Sequence, residues 1–353
     1  MENEFKKILH QYPSTEQFNN VIRAVKYKTN FNGLDSEGNP TYDPTKQLPI
    51  LNYLGSVKIH GTNGSMVRYN IDKNNDSQYY CQSRNQVLNP GFNDNCGFAK
   101  YISELPQEVI NVIFKNNTHI NMTVCGEWAG KSIQNGVGIS RVDKSFFIFG
   151  ISLNYEENKK EWINDLRKFY NEQELEFLNN YRIFNIFQFP YFELNIDFNN
   201  PQLVQNKLIE LTEAVEKECP VAKYFGFSNE IGEGLVWKCN DSKYSDSDFW
   251  FKVKGEKHSA SRVKKLASVD LEKINSVKEF VEYSVTENRL KQGLENIPGL
   301  DLRYTGDFIR WCFNDIIKEE DDTIIENKID KKLIGGEIAK VAKKWFFDRI
   351  RES

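Results

Sequence analysis

The apolar pattern of this chain changes period near residue 265, and that change limits its possible folds more than any single residue does. Up to about Val253 the apolar residues come in short runs of strand character. Ser65-Met66-Val67-Arg68-Tyr69 and Tyr79-Tyr80-Cys81 are two such runs, and Phe146-Phe147-Ile148-Phe149 is a continuous run suited to a buried strand. Leu235-Val236-Trp237-Lys238 and Phe249–Lys254 also read as strands. The second ends in alternation, which puts Lys252 and Lys254 on one face. Helical patterns over 98–115, 158–178 and 201–217 separate the strands. Beyond residue 265 the spacing is helical throughout, first at Leu271, Ile274, Val277, Phe280 and Val281. A Pro298-Gly299 break precedes Phe308, Ile309, Phe313, Ile316 and Ile317, and a last helix is expected over about 332–351. The expected architecture is α+β, with antiparallel sheets and helices over 51–264 and a small all-α domain over 265–353. Residues 1–50 are polar, with turn signals at Asn32-Gly33, Asn39-Pro40 and Asp43-Pro44. They read as an extension packed on, or leading into, the sheet region, with a short helix among Phe5, Ile8, Leu9, Phe18 and Ile22.

Composition narrows the function classes. With 353 residues the chain can build a large core and an appendage. No apolar run approaches the roughly 20 residues needed to span a bilayer. The opening residues lack the apolar centre of a signal peptide, so an intracellular, cytoplasmic setting is expected, with a phage or viral origin compatible. The six cysteines form no CxxC pair and the four histidines are scattered, which argues against a disulfide framework and a zinc site. Net charge is −4, from 46 basic and 50 acidic residues. That balance speaks against a broadly basic nucleic-acid surface, although it averages over the whole chain and does not describe a site.

Chemistry concentrates in one segment, Lys58-Ile59-His60-Gly61-Thr62-Asn63, and in four later ones. These are Gly126-Glu127-Trp128-Ala129-Gly130, Phe146–Ile151, Glu233-Gly234-Leu235-Val236-Trp237-Lys238 and Phe251-Lys252-Val253-Lys254. A lysine that attacks phosphorus must shed its proton against an ordinary pKa of about 10.4. Neighbouring cations assist that loss, and positioned phosphates orient the attack. Two lysines on one strand face would neutralise phosphate charge. Two separated carboxylates suit sugar hydroxyls and a hard divalent cation, and an aromatic beside them suits a purine face.

In this motif order the chain resembles the covalent nucleotidyltransferases, which include DNA and RNA ligases and mRNA capping enzymes. Within them it is similar to the RNA ligase 2 type, whose form of the general Lys-x-Asp-Gly motif is Lys-Ile-His-Gly-Thr-Asn. The resemblance implies that Lys58 becomes adenylylated, with His60 supporting chemistry on the same turn. It implies that Arg84 contacts AMP or the RNA 5′-phosphate, Glu127 binds ribose and Phe149 stacks on adenine. It further implies that Glu233 is linked to a metal and that Lys238, Lys252 and Lys254 lie near the phosphates. The implied cofactors are ATP and Mg²⁺ or Mn²⁺. The implied partners are RNA ends carrying 5′-phosphate and 3′-OH, with no membrane, and a monomer is expected.

Two positions depart from the pattern. Gly150 stands where the RNA ligase 2 type has Asp after the stacking Phe, and Val57 stands where a Glu often precedes the nucleophile. The helical tail resembles the C-terminal domain of RNA ligase 2 enzymes, whereas DNA ligases and capping enzymes carry an OB barrel there. Arg289 and Lys291 read either as RNA contacts or as solvated helix charges. The basic segment Lys254–Lys265 reads either as a linker or as an RNA-backbone contact. The alternatives to an RNA ligase are a DNA ligase, a GTP-using capping-type enzyme, or a module that binds RNA ends without sealing them.

Overall fold

Two sheets carry most of the first 254 residues of the computed structural model, which describes residues 7–70, 77–115, 121–156, 159–255, 277–320, 324 and 329–352. Helix α1 (Phe18–Asn30) leads into a hairpin of β1 (Phe31–Leu34) and β2 (Pro40–Tyr42). The four-stranded sheet runs in the order β10 (Phe192–Asp197), β3 (Ile50–Val57), β11 (Gly234–Cys239), β12 (Phe251–Lys254). Its apolar side presents Tyr53, Phe198 and Phe251, and Phe18 of α1 packs on Phe251 with ring centroids 4.8 Å apart. Val21 and Val25, one turn apart, are fully buried, so α1 is a structural layer of this sheet rather than a loose leader.

The larger sheet runs β5 (Ser77–Gln82), β4 (Thr62–Asn70), β6 (Asn121–Ala129), β7 (Ser145–Glu156), β8 (Lys159–Ile163), with β9 (Ile183–Asn185) added in parallel to β7. Met66, Val124, Trp128, Phe146, Ile148 and Ile151 form its apolar face. That face is covered by α2 (Phe98–Ser103), α3 (Gln107–Ile113) and α4 (Glu172–Asn179), which bring Phe98, Ile102, Val109, Ile110 and Leu178 into the same core. The helical reading over 98–115 divides at Pro106, which has no N–H to carry the first helix onward. The helix read over 158–178 is a correction. Its first part is β8, paired with β7, and helix begins only at Glu172, where Asn171 and Glu174 form a capping box. Helices α5 (Gln202–Lys217) and α6 (Pro220–Tyr224) precede β11.

By contact, residues 1–201 and 211–253 form one compact unit, and 202–210 with 254–353 form a second. The second contains α7 (Val277–Ser284), α8 (Glu287–Glu295), α9 (Thr305–Glu319) and α10 (Lys331–Glu352). Phe280, Leu290, Phe308, Cys312, Ile316, Ile334, Ile338 and Phe346 make its core. Leu271, Ile274 and the Glu256–Lys265 part of the basic segment lie outside the described residues. Among the described residues no helix is long and apolar enough to cross a membrane.

Candidate active site

Lys58 follows β3 directly. Its backbone N–H donates to the Gly234 carbonyl at 2.8 Å, closing the end of β3 onto the start of β11. Glu233 is thereby brought alongside. Lys58 Nζ lies 2.6 Å from Glu233 Oε2, and His60 Nδ1 lies 3.3 Å from the same oxygen. The Glu233 side chain is 4% exposed and that of Lys58 24%, so the pair is closed on the acid side and open on the amine side. The next turn is pressed against β6. A Cβ on Gly61 would sit 2.4 Å from the Trp128 carbonyl oxygen, so only glycine fits. Its N–H donates to Glu127 Oε1 at 3.2 Å. Burial pushes the Glu127 carboxyl up to about 7; Glu233 adds to the rise, while Lys58 and His60 oppose it. Lys58, His60, Glu127 and Glu233, far apart in sequence, thus form one hydrogen-bonded and electrostatic group.

Phe149 is reached through a bulge. Cys125 pairs with Gly150 and Gly126 pairs with Ile148, leaving Phe149 as the extra residue on β7. Ile148 and Ile151 therefore both face the helices, while Phe149 turns to the opposite side of the sheet. There it meets Tyr12 edge-on at 4.8 Å, in a cluster with Cys125, Trp162 and Trp250. The Phe149 carbonyl accepts a 2.8 Å hydrogen bond from Lys238 Nζ. That ammonium also sits over the rings of Trp250 (4.6 Å), Tyr12 (5.3 Å) and Phe149 (5.6 Å). Lys238 is buried, and desolvation brings its amine down to about 7, with only the Cys125 thiol pulling the other way.

The remaining predicted residues are placed less closely. Arg84 is exposed in the turn after β5, and its charge reaches Tyr12. Lys252 and Lys254 lie two residues apart on β12, both partly exposed. The Lys252 N–H donates to the carbonyl of Glu16, in the leader, residues 7–17, that precedes α1. Arg289 is a correction, since it is neither an RNA contact nor a solvated charge. It is fully buried, with Nε 2.8 Å from Asp315 Oδ2 and Nη2 3.3 Å from Glu320 Oε1. Lys291 is exposed, 3.7 Å from Glu287. Sequence reasoning missed Tyr12, Trp162 and Trp250. The one trace of Tyr12 in the sequence is the missing side chain at Gly150, whose space the Lys238 ammonium and the Tyr12 ring share.

A family model described as RNA ligase matches residues 52–254, more than half of the chain, from within β3 to the end of β12. The chain is a member of the RNA ligase family. No curated protein matches this family member. Among solved structures it is similar to a Naegleria gruberi RNA ligase variant with AMP and Mn, at 17% identity and a TM-score of 0.42, covering 72% of this chain and 60% of the other. A second variant of the Naegleria ligase, with ATP and Mn, matches at 16% identity and 0.42, covering 71% and 57%. An archaeal ATP-dependent RNA ligase matches at 11% identity and 0.41, covering 99% of this ligase-family chain and 68% of its own. The chain therefore spans under two thirds of the length of the Naegleria ligases.

Proposed function

We propose that this RNA ligase family member uses ATP to join an RNA 3′-OH to a 5′-phosphate through lysyl-AMP and RNA-adenylate intermediates, and that it acts at nicks or breaks in duplex or structured RNA, as in RNA repair. The carrying observation is the Lys58 amine, open on one side and held 2.6 Å from Glu233, within the segment that matches the family. In the first step the Lys58 Nζ–phosphorus bond forms and the bond to pyrophosphate breaks. Lys58 must first lose a proton, and its hydrogen bond to Glu233 holds the amine in place until then. AMP then passes to the RNA 5′-phosphate, and the 3′-OH displaces it.

In this reading Glu127 meets the ribose hydroxyls, Phe149 stacks on adenine, and Arg84 meets AMP or the 5′ end. His60 keeps the Glu233 carboxylate oriented toward Lys58. Lys238, Lys252 and Lys254 offset phosphate charge. Residues 51–264 serve as the nucleotidyltransferase domain and 265–353 as a helical domain used in sealing. Among the described residues no three potential metal ligands cluster together. The donor set fits a divalent cation that arrives on the polyphosphate, with Glu233 as the protein's oxygen ligand, since Mg²⁺ is usually held by one or two carboxylates plus substrate phosphates. Such a cation would neutralise charge on the leaving pyrophosphate.

The test is covalent labelling with α-labelled ATP or GTP, followed by sealing of nicked RNA, nicked DNA and single strands. Lys58→Ala is expected to abolish the protein–AMP adduct while the protein stays folded. Robust labelling of that variant would sink the nucleophile assignment. Preference for GTP or for nicked DNA would overturn the substrate reading.

A further inference from the structure

The leader crosses from one sheet to the other, and its backbone is anchored at both ends, by side chains of the larger sheet at one and by main-chain hydrogen bonds at the other. On the larger sheet, Tyr80 Oη donates to the Ile8 carbonyl. The fully buried Gln82 accepts the His10 N–H at 3.0 Å and donates back to the His10 carbonyl at 2.6 Å. On the smaller sheet, the Glu16 N–H donates to the Trp250 carbonyl at 2.9 Å and its carbonyl accepts the Lys252 N–H at 3.0 Å. Tyr12 lies between these anchors, 7% exposed, edge-on to Phe149 and stacked on Trp250 at 5.5 Å.

A buried ammonium ordinarily needs a carboxylate partner. Among the described residues Lys238 has none within ion-pair distance. Its partners are the Phe149 carbonyl and three aromatic rings, a setting that cation–π attraction favours once water is excluded. Gly150 makes the arrangement possible. A Cβ there would lie 3.1 Å from Lys238 Nζ and 3.3 Å from Tyr12 Cε2, so the ring and the ammonium share the volume a side chain would need. The titratable groups facing Lys238 are the Cys125 thiol from β6 and the Tyr12 hydroxyl from the leader. Lys160, from β8, acts on Cys125.

We propose that Tyr12 is a positioning residue for nucleotide attachment: its ring holds the Lys238 ammonium on the Phe149 carbonyl in place of a carboxylate, and Gly150 is the space that admits the ring. The lysine is thereby left as a cation without an anion of its own, suited to a phosphate group, and tied to the strand that carries Phe149. This proposal rests on the nucleotidyl-transfer reading above.

The experiment compares Tyr12→Phe, Tyr12→Ala, Gly150→Asp and Tyr12→Ala/Gly150→Asp in the full chain, using α-labelled ATP as the probe. Tyr12→Ala is expected to raise KM for ATP about tenfold with a smaller change in kcat, the size of effect one well-placed contact supplies. Tyr12→Phe, which keeps the ring, should restore KM to within about twofold. Gly150→Asp should be tolerated only when Tyr12 is also shortened, and the double variant should move the neutral-range inflection of the pH–rate profile upward by about one unit, because a carboxylate favours charged Lys238. Equal KM and equal inflection in Tyr12→Ala and the parent would overturn the proposal. A parallel ¹³C NMR titration of the lysine Cε carbons without nucleotide, assigned with Lys238→Arg, reads the cage directly. If the parent forms no covalent adduct, the functional reading fails, while this titration still decides the cage: a Lys238 midpoint unmoved by Tyr12→Ala refutes it.

Discussion

Arg289 offers the sharpest test of how the helical unit is held together. Its guanidinium is fully buried and reaches Asp315, Glu320 and the Ser284 carbonyl, and Glu320 itself is only 3% exposed. Replacing Arg289 by Met keeps most of the apolar stem but takes the guanidinium away from the buried Glu320 carboxylate and from Asp315. Breaking a buried pair in this way costs about 3–5 kcal/mol. The orphaned Ser284 carbonyl adds about 1 kcal/mol. A loss near 5 kcal/mol is a large share of the roughly 5–15 kcal/mol that holds a folded domain together. The assay is urea unfolding followed by helical circular dichroism, with Arg289→Met and the double variant Arg289→Met/Glu320→Leu side by side. The double variant removes both buried charges and should regain at least half of the loss, since a well-packed apolar replacement of an ion pair is often neutral or stabilising. A single variant that costs under about 1 kcal/mol would refute the burial argument. An Arg289→Met protein of unchanged stability but weakened RNA binding would reinstate Arg289 as an RNA contact.

Three further outcomes are expected. Gly61→Ala should lower the melting temperature and slow covalent labelling, because its Cβ would meet the Trp128 carbonyl at 2.4 Å and overpacking of this kind costs about 1–3 kcal/mol; an unchanged melting curve would contradict the close approach of the motif turn to β6. Unfolded lysine keeps its proton to about 10.4, whereas Lys238 releases its proton near 7, so the unfolded state binds more protons between those values and stability should climb with pH there. Lys238→Met should remove that rise, worth on the order of 4 kcal/mol in all, and parallel stability curves for the two proteins from pH 7 to 10 would count against it. Glu127 has the opposite sign: its folded carboxyl holds a proton up to about 7 while the unfolded one loses it near 4.5, so stability should fall as pH rises through that window. Glu127→Gln should flatten that slope in denaturant titrations between pH 4.5 and 7.

The sequence makes some parts of this molecule readable and hides others for identifiable reasons. Lys58, Glu127 and Glu233 can be named in advance because each lies in a short motif, and the structure brings all three to one turn through the register of β3 with β11 and of β4 with β6. The helical tail is legible because its period is sustained over several turns. The strand at Lys159–Ile163 is not, since five residues with two lysines and a glutamate have no strand period of their own and become a strand only by pairing with β7. Arg289 misleads for a related reason: a charge on an amphipathic helix reads as solvent-facing unless the two acids that bury it, 26 and 31 residues later, are known. Tyr12 is the extreme case. Its partners Phe149, Lys238 and Trp250 lie far along the chain, and the one local trace is the absence of a side chain at Gly150.

That long-range closure also alters what the net charge of −4 implies for this member of the RNA ligase family. Around the motif turn the charges are already internally matched, with Glu233 facing Lys58 and His60 and with Glu127 tending to hold a proton near neutral pH. A polyphosphate approaching that turn gains little from Lys58 unless Glu233 lets go. Lys238 is different, because its cage of rings and one carbonyl supplies no opposing charge. In the proposed reading, phosphate recognition therefore depends on one buried cation set by the leader and on the partly exposed lysines of β12 rather than on a broad basic surface. Steering by such a site is short-ranged at physiological salt, where screening acts over about 8 Å. Affinity for RNA away from an end should then be weak and should fall quickly with added salt, while occupancy of the lysine cage by a phosphate, being desolvated, should be far less salt-sensitive. Filter binding of intact duplex RNA and of ATP across a salt series separates the two, and equal salt slopes would show that the buried lysine does not take part in phosphate binding.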